Sequence, residues 1–137
     1  MVVRRSHGGG RFERAASYAR ALRVGPFVWV AGTTAIEPSG KLHAPDDSYA
    51  QTIYALGRIE QALADVGAEM RHVVRCTAFL RSLKTDAAGF VRAHGEVFVG
   101  IEPVMSAVEA GLTTPGMTVE ILVDAVIHDE SGVIALP

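Results

Sequence analysis

The sequence predicts an α+β domain in which two amphipathic helices cover one face of a mixed sheet. Its 137 residues suit a single domain, residues 1–137, and the predicted element order is β-β-α-β-α-β-β. Two helices can cover only one face of such a sheet. We therefore expect a symmetric oligomer to cover the other face.

The composition narrows the class of protein. Hydrophobic residues make up 49% and charged residues 20% of the chain, which excludes an intrinsically disordered protein. The 13 basic and 15 acidic residues give a net charge of −2, so the balance disfavours a nucleic-acid partner. No apolar run approaches the roughly 20 residues that cross a bilayer, and the single Cys76 excludes an internal disulfide and a cysteine-rich zinc site. We expect a cytoplasmic protein without a membrane partner, metal or cofactor.

The N-terminal part predicts a β-hairpin. Residues 1–11 contain a triple glycine and are expected to be flexible or to form a short edge strand. Residues 16–24 and 27–32 predict two strands, because Gly25-Pro26 between them is typical of a turn. Residues 33–45 are rich in proline, serine and glycine and predict a loop.

The clearest helix follows this loop. Asp46, Asp47 and Ser48 supply capping oxygens at its start, and Gly67 is a plausible residue for its end. Apolar residues then recur at spacings of three and four, which is the helical period. This stripe consists of Tyr49, Ile53, Leu56, Ile59, Leu63 and Val66.

The C-terminal half predicts a strand, a helix and a second hairpin. In the strand 72–81, Val74, Cys76, Ala78 and Leu80 share one face; we expect them, or their partners, to be buried between subunits. A helix over about 85–98 has the stripe Phe90, Val91, His94, Val97 and Phe98. Two more strands, 104–110 and 118–128, are joined by the turn-rich segment 111–116.

Two titratable residues stand out. His94 lies on an apolar helix stripe, which favours a packed histidine over a proton carrier in a cleft. Glu120 interrupts a strongly apolar strand, so it lies either at a wet edge or in a pocket suited to acid/base chemistry. Glu109 would face Glu120 if the turn is centred near residues 114–115. The scattered histidines give no metal-binding pattern, and the phosphate-binding and hydrolase motifs are absent.

Ordered blocks of the sequence resemble the RidA/YjgF family, which is also known as endoribonuclease L-PSP. The resemblance spans about residues 12–128 and implies a chorismate-mutase-like fold, a homotrimer and small-molecule clefts between subunits. The blocks that carry it are residues 18–25, 28–32, 49–63, 73–77, 92–98 and 101–103, with Val108-Glu109 and Val119-Glu120-Ile121 through Ala125.

The resemblance implies hydrolysis of reactive enamines and imines derived from amino acids. In that chemistry an arginine clamps the substrate carboxylate and a glutamate positions the attacking water. Glu120 matches the glutamate and Tyr18 a tyrosine that lines the cleft, and Gly32 matches the glycine of the family's serine–glycine motif. The arginine position is Met105, which cannot hold a carboxylate. Three further cleft positions also depart from the family pattern: Ala31 for a serine, Ala107 for a cysteine and Arg92 for a position that is commonly asparagine.

Three functions follow as hypotheses. The first is a trimeric RidA-like protein that hydrolyses an imine or other reactive metabolite, with Glu120 as the base. The second is a non-catalytic protein that binds a metabolite as a signal. The third, an endoribonuclease, is disfavoured by the net charge of −2.

Overall fold

A six-stranded mixed sheet with two long helices on one face forms the domain, as predicted. The computed structural model describes residues 3–134; residues 1–2 and 135–137 of the predicted domain lie outside this description. The elements are β1 (Val3–Ser6), α1 (Arg11–Ala16), β2 (Ala21–Val24), β3 (Phe27–Thr33), α2 (Ser48–Asp65), β4 (Val73–Leu80), α3 (Leu83–Val97), β5 (Val104–Glu109) and β6 (Val119–Val126), with a short 3₁₀ turn at Met70–His72. The strand order is β1-β2-β3-β6-β4-β5, and only β4 and β5 are parallel.

Helix α2 forms where its caps and periodicity predict it. The side chain of Asp47 accepts a hydrogen bond from the amide of Ala50, and Gly67 adopts a positive φ of 84° just after the helix. Leu56, Ile59, Leu63 and Val66 are buried in the core. In the first turns the predicted stripe is wrong, because Ile53 is exposed and the buried positions are Gln51, Thr52 and Ala55. The amide of Gln51 donates to the carbonyls of Ala44 and Gly116, so the loops draw this polar side chain inward.

Helix α3 packs tightly on α2. Its cap is Ser82, whose side chain accepts from the amide of Thr85. Phe90 and Phe98 are buried as predicted, whereas Val91 is 57% exposed and Ala93 faces the core instead. Gly89 permits the close approach, because a Cβ there would lie 2.7 Å from the backbone nitrogen of Tyr49.

The N-terminal region differs from the prediction. The hairpin of β2 and β3 is present, with Val24 paired to Phe27, but β2 begins only at Ala21. Of the expected strand residues before it, Ala16 ends α1, Ser17 caps that helix with a positive φ of 60°, and residues 18–20 form the connection to β2. Strand β1 pairs with β2 at the sheet edge. Short elements of this kind have too few residues to show a period.

A bulge in β4 corrects the predicted faces of that strand. The register with β6 shifts between Val73 and Arg75, so Val73 is buried and Val74 is exposed. Cys76, Ala78 and Leu80 lie beneath the helices in the core. The expectation that these residues belong to the uncovered face is therefore wrong. The residues that alternate with them along β4 lie on the uncovered face; these are Arg75, Thr77 and Phe79.

The predicted hairpin of the last two strands is also wrong. Strand β6 inserts between β3 and β4, while β5 pairs with β4 at the far edge. Glu120 is in register with Phe79, and Glu109 is in register with Leu80, so the two carboxylates lie on opposite faces and do not oppose each other. Glu109 instead accepts a hydrogen bond from the amide of Leu83 at the start of α3.

Candidate functional site

Glu120 and Gly32 form the centre of the candidate site. Strand β3 has a register shift against β6 between Val30 and Thr33, and Gly32 lies in this irregular segment. The half-buried side chain of Glu120 occupies the space beside it: a Cβ on Gly32 would lie 3.0 Å from the Cδ of Glu120. The absence of a side chain at position 32 thus makes room for the carboxylate.

Arg20 is a residue of this site that the sequence analysis missed. It is 8% exposed, and its guanidinium donates to the carbonyls of Gly32 (3.1 Å) and Ala31 (3.3 Å) and to the hydroxyl of Thr33. Burial lowers the pKa of Arg20, as does nearby Arg58, whereas the charges of Glu13, Tyr18 and Glu120 act in the opposite direction. Arg20 therefore fixes the backbone beneath Glu120 and places a positive charge near it. In the sequence, the signal for this role was a charged residue, Arg20, within the largely apolar predicted hairpin.

The predicted cleft residues fall into two groups that lie on opposite faces of the sheet within one chain. Tyr18, Ala31, Gly32 and Glu120 surround Arg20. Met105 and Ala107 lie on strand β5, in register with Cys76 and Ala78, which places them on the face that the helices cover. This is the opposite face from Glu120.

Arg92 belongs to neither of these two groups. It lies on the exposed side of α3, and its guanidinium carbon stands 3.9 Å from the centre of the Tyr49 ring. The hydroxyl of Tyr49 donates to Glu96, and this hydrogen bond is the main reason the pKa of Tyr49 is raised. Arg92 is thus held by a cation–π contact on the helical layer.

His94 has the geometry of a packed histidine. Its ring lies between Phe90 and Phe98, with centroid distances of 5.6 and 4.6 Å. Burial lowers its pKa, and its Nε2 atom has no hydrogen-bond partner among residues 3–134. Burial also raises the pKa of the Cys76 thiol to about 12, which makes it unreactive at neutral pH.

The sheet leaves one apolar face uncovered, here called the open face. Trp29 is 46% exposed on it and lies 6.4 Å from Phe27, centroid to centroid. Asp124 pairs with Arg75 across the middle of this face at 3.8 Å. By register, the apolar residues of the open face are Val3, Leu22, Val24, Phe27, Trp29, Phe79, Val104, Val108, Leu122 and Val126.

Over residues 3–134, none of the helices has both the length and the apolar character to cross a membrane. Within the same span, no three His, Cys, Asp or Glu side chains converge as metal ligands. The molecule is thus defined as a small α+β domain with helices on one sheet face and a glutamate–arginine site at a bulged central strand.

The chain belongs to the RidA/YjgF family, as the resemblance implied. The family model described as Endoribonuclease L-PSP matches residues 9–127. The chain is 38% identical to an uncharacterized protein of Streptomyces coelicolor over 75% of each chain. It is 30% identical to a RutC family protein of Pyrococcus abyssi, over 75% of this chain and 80% of that protein.

The solved structures agree with this assignment. A member of the YjgF/YER057c/UK114 family from Mycobacterium tuberculosis superposes with a TM-score of 0.82 at 38% identity. The match covers 92% of this chain and all of that chain.

Proposed function

We propose that the protein is a homotrimer with small-molecule clefts between subunits, in which Glu120 positions a water molecule for hydrolysis of an imine. The observation that carries this proposal is the half-buried Glu120 carboxylate, seated against Gly32 and close to the buried Arg20. A carboxylate so placed can accept a proton from water as the water oxygen attacks the imine carbon. The carboxyl group returns this proton to the nitrogen, which gives a neutral carbinolamine. The hydroxyl proton of the carbinolamine then passes to the nitrogen as the C–N bond breaks, so that ammonia and the carbonyl product leave.

Self-association would complete the cleft. One chain holds Glu120 and Met105 on opposite faces of its sheet, so a single subunit presents only half of the predicted site. The open face, with Phe27 and Trp29 exposed, offers apolar surface for contact with another copy. A trimer would bring the Glu120 cluster of one subunit opposite the Met105 strand of its neighbour.

Met105 and Ala107 influence the choice of substrate. Methionine provides no positive charge, so a substrate carboxylate in this cleft would lose a charge-assisted partner while giving up hydration. We therefore propose an imine that does not depend on an arginine at this position for its binding.

The test measures ammonia release from freshly generated imines by the unmodified protein and by Glu120→Gln. We expect the variant to lose activity by about 10²-fold or more, while light scattering shows an unchanged trimer. Glu60→Gln, which alters an exposed glutamate on α2, is the matched control and should stay active. Full activity in Glu120→Gln would contradict the proposal.

The replacement of the usual polar cleft residues by Met105 and Ala107 favours a second candidate, a non-catalytic metabolite-binding protein. It predicts saturable ligand binding without ammonia release. The endoribonuclease named by the family model would instead require RNA binding with a steep salt dependence.

A further inference from the structure

An open groove lies between β1 and α1, beside the Glu120 site. It encloses about 300 Å³, and its lining includes Arg5, His7, Glu13, Arg14 and Tyr18. Arg5 is in register with Leu22, and Leu22 with Trp29, so Arg5 lies on the same sheet face as Glu120. Arg5 therefore connects the groove to the sheet face that carries the candidate site.

The N-terminal region around this groove is strongly basic. Residues 1–23 contain six of the 13 Lys and Arg residues but one of the 15 Asp and Glu residues. This segment therefore has a net charge of +5, against −7 for the rest of the chain. A concave surface with one sign of charge concentrates ligands of the opposite sign.

Within one chain, the cations of the groove are unpaired, while its carboxylate is engaged. Among residues 3–134, Arg5 and Arg14 make no ion pair and no side-chain hydrogen bond. Glu13 is buried and accepts a hydrogen bond of 2.9 Å from the amide of Gly8. Its charge also lies near that of the buried Arg20. The balance left at the groove surface is positive.

We propose that this groove binds the acid group of a small anionic metabolite through Arg5 and Arg14. Two guanidinium groups suit a carboxylate or phosphate, which both accept paired hydrogen bonds. A volume of about 300 Å³ is at the lower end of the range of small-molecule sites. Tyr18 lines the groove and lies near Arg20, so the groove can hold an acid group that lies away from the reacting carbon of a substrate. This link between the groove and the substrate of the Glu120 site rests on the proposed function.

The experiment titrates succinate and, separately, inorganic phosphate into the ¹⁵N-labelled protein at low ionic strength. We expect saturable shifts of the Gly9, Gly10 and Ser17 amides, and the stronger of the two probes identifies the acid group. Arg14→Gln should weaken binding about tenfold, because a charge-assisted contact is lost. Arg11→Gln is the matched control: it removes the same charge from the same helix, at a residue that lies against Phe12.

An equal loss of affinity in Arg11→Gln and Arg14→Gln would show diffuse attraction and overturn the proposal. Absence of saturable binding by either anion would do the same. The circular dichroism spectrum of each variant should match that of the unmodified protein, which excludes a loss of folding as the cause of weaker binding. Glu120→Gln should bind both anions as the unmodified protein does, so failure of the groove and failure of the hydrolytic proposal are distinguishable.

Discussion

The carboxylate of Glu120 lies against the backbone of Gly32, in the space that a side chain at position 32 would fill. A Cβ on Gly32 would lie 3.0 Å from the Cδ of Glu120 and closer still to one carboxylate oxygen. The backbone of Gly32 is held in turn by Arg20, which donates to its carbonyl. Gly32 and Arg20, both distant in sequence from Glu120, therefore fix the position of its carboxylate.

Gly32→Ala should displace the Glu120 carboxylate and reduce activity or ligand binding at this site. The added methyl group has no room unless Glu120 moves. Gly57→Ala on α2 is the control, since no atom lies within 4 Å of its added Cβ. It should raise the free energy of unfolding by about 0.5–1 kcal/mol through helix propensity. Denaturant titration and activity assays check both, and an unaffected Gly32→Ala would show that Glu120 is mobile.

Arg20→Leu should lower the free energy of unfolding by about 3 kcal/mol. The substitution leaves the buried hydroxyl of Thr33 and the partly buried carbonyls of Ala31 and Gly32 without their guanidinium donor. Arg11→Leu, at an exposed arginine, should change it by about 0.5 kcal/mol or less. Urea denaturation measures both values. Equal stability of the two variants would mean that the Arg20 contacts contribute little.

Met105→Arg should gain activity on 2-aminoacrylate, generated in place by a dehydratase acting on serine. The unmodified protein should show little, because a thioether cannot bind a carboxylate. Met105→Leu is the control and should stay inactive, since it preserves the apolar character. Ammonia release at equal trimer concentration decides the comparison. Strong activity in the unmodified protein would require another residue, Arg92 first, to hold the carboxylate.

Trp29→Asp should dissociate the assembly. The side chain of Trp29 is exposed on the open face, and an aspartate there would stand in register with Asp124. Val99→Asp is the control, because Val99 is exposed beyond the end of α3. Light scattering should give a trimer for the unmodified protein and for Val99→Asp. A mass of 14.5 kDa for the unmodified protein at micromolar concentration would contradict the expectation.

Stability should fall in mild acid because of the buried His72 and the half-buried His94. Burial lowers the pKa of His94 and of His72 in the folded state, whereas an unfolded histidine has a pKa of about 6.5. Below that pH the unfolded chain takes up protons that the folded chain resists, so the free energy of unfolding decreases as pH falls. Protonation would also break the bond of 3.0 Å from the Glu69 amide to Nδ1 of His72.

His94→Leu should make this pH dependence shallower, since leucine fills the site between the two phenylalanines without titrating. His7→Gln, at an exposed histidine, should leave the dependence unchanged. Denaturant titrations between pH 7 and pH 5 measure the slopes. Parallel slopes for the unmodified protein and His94→Leu would show that His94 does not contribute.

The sequence alone determined the two long helices, the first hairpin and the family. Helix α2 was predictable because its capping by Asp47 and its apolar period involve residues within a few positions of one another. The hairpin of β2 and β3 was predictable because Gly25-Pro26 specifies a tight turn. Glu120 was a candidate because one carboxylate stood among apolar neighbours. Each signal is contained in a short stretch of chain.

Only the tertiary structure decided which strands pair and which side chains meet. Strand β6 pairs with β3 and β4 rather than with its neighbour β5. Every second residue of β6 is buried, and the central position in the sheet is the one that buries them. The bulge at Val74 reverses the face of one residue, and no local preference specifies it. Arg20 became part of the site because distant carbonyls satisfy its guanidinium. Such partners depend on long-range packing, which a pattern of neighbouring residues does not contain.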